Sequence, residues 1–129
     1  MGAWGSGPFD NDDAMDFVGD LANGSTAEVV ARLREALALP DDYVESPEGS
    51  SAVAAAALVA ARLGYNPGNP TVADLLVAHP FEADDQLRSS ASAALARVAA
   101  DDSELMELWD EAGLRESVET VYGDIRAFL

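Results

Sequence analysis

The chain has 129 residues and a formal net charge of −17, set by 24 acids against seven arginines, with no lysine and no cysteine. One domain spanning residues 1–129, with one hydrophobic core, is the expectation for this length. With 49% apolar residues the composition is that of a folded protein, despite the charge. The missing cysteine excludes disulfides, thiolate metal sites and cysteine nucleophiles. The negative field repels phosphate backbones and anionic lipid, so neither nucleic acid nor a membrane is an expected partner. Neither a secretory leader nor a membrane-spanning stretch is recognisable, and the cytoplasm is the expected compartment. The start Met1-Gly2-Ala3-Trp4-Gly5-Ser6 formally fits a myristoylation pattern, but no polybasic patch supplies a second anchor. Arginine and alanine in place of lysine suggest a bacterial host with a high-GC genome, and an acidic lysine-free chain also suits a salt-adapted one.

Residues 1–9 hold three glycines, a proline, Trp4 and Phe9. They read as a non-helical arm whose two aromatics press onto the body of the protein. Asp10 or Asn11 caps the first helix, in which Ala14, Phe17, Val18 and Leu21 recur at helical spacing. Asn23-Gly24 ends it, and Ser25-Thr26-Ala27-Glu28 is a capping box opening a second helix with the stripe Val29, Val30, Leu33, Ala36 and Leu37. After Leu39-Pro40, Tyr43 and Val44 are expected to plug the core. Ser46-Pro47-Glu48 reads as cap, first-turn proline and first-turn acid of an Ala-rich third helix reaching about Leu63.

A Pro/Gly/Asn loop follows, and Thr71 is expected to cap a short helix stopped by His79-Pro80. Asp84 or Asp85 opens a fifth helix, Asp102 or Ser103 a sixth bearing Leu105, Leu108 and Trp109. The last helix, from Leu114, turns Val118, Val121, Tyr122, Ile125 and Phe128 inward. Nothing reads as a strand. The expected fold is therefore all-α, a compact bundle of six to seven helices with a Gly/Trp arm. Residues 50–61 and 89–100 resemble each other, but two copies dominated by alanine reflect composition rather than a solenoid.

Chemistry is sparse. Asp12, Asp16 and Asp20 stand at i, i+4 and i+8 and are the best candidate ligands for Mg²⁺ or Ca²⁺, although the spacing is not that of a calcium loop. His79, the single histidine, sits at a helix end where it meets exposed carbonyls. No phosphate-binding loop, dinucleotide fingerprint or nucleophile elbow occurs, so no cofactor and no catalytic residue is assigned. Trp109 belongs to the core on its spacing. Trp4, Phe9, Asp10 and Asp13 are the candidate partner-binding residues, from the aromatic arm and the acidic helix start.

Gly2-Ala3-Trp4-Gly5-Ser6-Gly7-Pro8-Phe9-Asp10-Asn11-Asp12 follows the pattern G-x-W-G-x-G-x-F-D-N-D, and residues 102–111 form a second distinctive segment. Both resemble a family of small bacterial proteins defined as domain of unknown function 4259. That resemblance implies a free-standing cytosolic domain and carries no catalytic residues with it. The sequence favours a non-enzymatic interaction domain, of the inhibitor or immunity type, that binds a basic protein. A metal-dependent hydrolase using Asp10, Asp12, Asp13 and Asp16 is one alternative, and a structural or oligomerisation module is the other.

Overall fold

A computed structural model describes residues 5–129. Seven α-helices follow one another: α1 (Asp12–Ala22), α2 (Thr26–Leu37), α3 (Ser46–Arg62), α4 (Pro70–Ala78), α5 (Asp85–Ala99), α6 (Glu104–Glu111) and α7 (Arg115–Arg126). No strand forms among the described residues, so the all-α bundle expected from the periodicity is what the chain adopts. One contiguous core joins all seven helices.

The α3 helix runs through the middle. Every residue from 52 to 60 is buried, and α3 packs against each of the other six helices, most extensively α5. Alanine explains the arrangement: a helix surrounded on all sides must present small side chains so that neighbouring backbones approach closely. The two Ala-rich segments that resemble each other in sequence thus meet face to face.

Local signals set most helix ends. Asn11 accepts a hydrogen bond from the Ala14 N–H at 2.8 Å, and the Ser25–Glu28 capping box is present in both directions. Asp84 caps α5 through the Leu87 N–H. Two expected caps fall elsewhere. Asn69, not Thr71, caps α4, because its side chain reaches the Thr71 and Val72 N–H groups with Pro70 in the first turn. Ser46 lies inside α3 rather than capping it; the cap position is Glu45, and the Ser46 N–H donates instead to Glu104 Oε1 at 2.7 Å. A carboxylate from a distant helix satisfies this end, which no local pattern encodes.

Two expected core residues face out. Tyr43 is 41% exposed and donates from its hydroxyl to Glu107 Oε2, while its neighbour Val44 is fully buried. Val44 instead makes the single parallel bridge of the described residues, to Ser103: its N–H donates to Asp102 O and its carbonyl accepts from the Glu104 N–H. Phe128 is 42% exposed and covers the Tyr65 edge, ring centroids 5.9 Å apart, instead of entering the core. Trp109, 6% exposed, is in the core as expected.

Candidate functional site

The described part of the N-terminal signature builds a small backbone cradle around one of its own carboxylates. Asp10 Oδ2 accepts from the Gly7 N–H at 3.1 Å, and the Asp10 N–H donates back to the Gly7 carbonyl at 3.2 Å. A Cβ on Gly5 or Gly7 would lie 2.6 or 2.5 Å from that oxygen, so with any other residue the Asp10 carboxylate would have to shift from its place in the loop. Phe9 is 2% exposed and fills the core beside α1, and Asn11 is the helix cap. Gly5, Gly7, Phe9, Asp10 and Asn11 therefore each have a role in the fold.

The other candidate residues are dispersed by the structure. Trp4 lies outside the described residues. Phe9 has no free face to offer, and the Asp10 carboxylate is engaged by the loop. Asp12, Asp16 and Asp20 point to water from the outer side of α1. Among the described residues, no three His, Asp or Glu side chains converge in a way that would hold a metal ion. Asp13 is half-buried and lines a pocket of about 170 Å³ with Asn11, Ser46, Ser50, Leu105 and Trp109. Asn11 of the first distinctive sequence segment meets Leu105, Leu108 and Trp109 of the second here. Its volume falls below the ~300–1,000 Å³ of most small-molecule sites. A larger open groove, about 370 Å³, lies between α1, α2 and α3.

Charge is the dominant property of the surface, and the arginines explain why. Arg97 donates to the carbonyls of Pro40, Asp42 and Asp101 at 2.8–3.0 Å, tying the α2–α3 connection to the α5–α6 connection. Arg62 donates to the carbonyls of Leu76 and His79 and lies over the Phe81 ring, 4.7 Å from its centroid. Burial lowers its pKa from the ordinary arginine value. Arg88 holds the Leu129 carbonyl and stands beside Asp85. Arg34 pairs with Asp84, and Arg115 with Asp110 and Glu119.

Only Asp84, Asp85, Asp110 and Glu119, of 24 acids, therefore meet an arginine among the described residues. The guanidinium fork suits this use, since it can bridge several carbonyls at once. Sequence counting shows the excess of acid but not this division of labour, because the carbonyls that Arg97 joins belong to loops distant in sequence.

Other polar groups are accounted for structurally. His79 Nδ1 and Thr26 Oγ1 share a hydrogen bond at 3.1 Å, joining the end of α4 to the start of α2. The Tyr43 hydroxyl is pushed up to about 12 by its bond to Glu107, by desolvation and by the nearby charges of Glu107, Glu104 and Glu45. Burial raises Tyr122, and burial with the charges of Asp124 and Asp10 raises Tyr65. Hydrogen bonds from Ser25 hold Glu28 below the usual carboxylate value. None of these groups lines either concavity. No described helix is long and apolar enough to cross a membrane.

A family model described as "Domain of unknown function (DUF4259)" matches residues 2–120. No curated protein and no solved structure matches the chain.

Proposed function

The chain belongs to the DUF4259 family, and from that premise we propose that it is a non-enzymatic interaction module whose acidic surface binds a basic protein. The observation that supports this reading is the unneutralised charge. A net −17 rests on a small helical body whose arginines mostly hold backbone carbonyls or a few carboxylates, leaving most acids facing water. Maintaining such a field costs self-repulsion, and its physical return is fast, long-range attraction of positive surfaces. The same field disfavours nucleic acid and anionic membranes, and the cytoplasm is the compartment this reading assumes. An inhibitor or immunity role, neutralising a basic protein by covering it, fits a domain of this size.

The test has two stages. Affinity capture from the native host at about 50 mM salt recovers one basic protein in stoichiometric amount. With that protein purified, the association rate falls by about tenfold or more as salt rises to about 0.5 M, while dissociation changes far less. Recovery of no stoichiometric basic protein, or association indifferent to salt, overturns the proposal.

A further inference from the structure

We infer that the groove between α1, α2 and α3 is the docking site for an amphipathic basic segment of the partner, with an apolar side chain on its floor and cationic side chains at its rim. This rests on the acidic-module reading and adds to it a location and a ligand chemistry.

The floor is apolar. Phe17, Ala36 and Leu39 pack against the core with one side and remain half-exposed in the groove, and Pro47 closes the α3 end. Their placement follows from local structure: α2 stops at Leu37, so the chain turns and lays Leu39 beside the first turn of α3. The volume, about 370 Å³, is within the range that admits one or two side chains or a small ligand, which the 170 Å³ pocket is not.

The rim carries carboxylates on two of its three walls. Glu35 on α2 and Glu48 on α3 line it directly, and both are exposed. Arg32 is the one cation of the lining and makes no ion pair among the described residues. Charge complementarity thus selects arginine or lysine beside the apolar anchor, whereas an anionic lipid or acidic peptide meets repulsion.

A dye-labelled, capped helical peptide of Leu and Arg serves as the probe, alongside a charge-matched peptide with Ser in place of Leu. Anisotropy titrations at low salt are expected to give the Leu peptide about tenfold tighter binding, the scale of burying one apolar side chain. Ala38→Trp, at an exposed position lining the groove, removes that difference and leaves the Ser peptide unchanged. Arg32→Ala tightens both peptides.

Should Ala38→Trp not fold, Glu35→Arg carries the test. It weakens the Leu peptide more than Asp124→Arg does, a like charge change on α7, which touches neither α1 nor α2. Equal binding of the two peptides, or equal effects of Glu35→Arg and Asp124→Arg, overturns the groove assignment while leaving the acidic-module reading intact. No salt-sensitive binding of either peptide removes both.

Discussion

The helices α3 and α1 put the same backbone geometry to opposite ends. Along α3, small side chains let the helix be enclosed on all sides, and residues 52 to 60 see no solvent to speak of. Along α1, one stripe of Ala14, Val18 and Leu21 is buried, while Asp12, Asp16 and Asp20 stand in water on the far side. The contrast separates what makes the protein fold from what makes its surface distinctive. Stability resides in close packing around α3, and charge resides on helices that need only one face for the core.

Substitutions that break or sharpen this contrast differ in size. Leu58→Ala, fully buried in α3, empties a volume its neighbours cannot refill and is expected to cost about 2–5 kcal/mol in denaturant unfolding. Gly7→Ala, in the loop that leads into α1, drives a methyl toward Asp10 Oδ2 and makes that carboxylate shift away from the Gly7 N–H, a loss of about 1 kcal/mol by the same measurement. Ser103→Ala has the opposite sign. The Ser103 hydroxyl is buried, finds no partner among the described residues and makes no capping bond to α6, so its removal stabilises by about 1 kcal/mol in thermal melts. Asp16→Asn on α1 changes stability by about 0.5 kcal/mol or less, in the stabilising direction, because it removes one repelling charge and no contact.

What the sequence made legible follows the same division. The stripes on α1 and α2 and the Ser25 cap are encoded within a few residues of where they act and could be read directly, and the Asn11 and Asp84 caps could be narrowed to one of two neighbouring residues. Tyr43, Phe128 and Ser46 could not, because their environments are made by Glu107, Tyr65 and Glu104 from other parts of the chain. The signature Gly5, Gly7, Phe9, Asp10 and Asn11 was recognisable as a pattern, but its role as a cradle, core plug and cap required the geometry. The groove was least legible of all: Phe17 and Ala36 read as ordinary members of core stripes, and nothing local says that each keeps one side in solvent. Charge was visible in full, whereas the turning of Arg62 and Arg97 onto backbone carbonyls was not.

Most of the carboxylates stand at the surface without a cation beside them. Melting temperature measured at neutral pH between about 20 mM and about 500 mM sodium chloride tests it directly, since added salt screens repulsion between exposed like charges. A steady rise of several degrees is expected across that range. A melting temperature that stays flat, or falls, would contradict it.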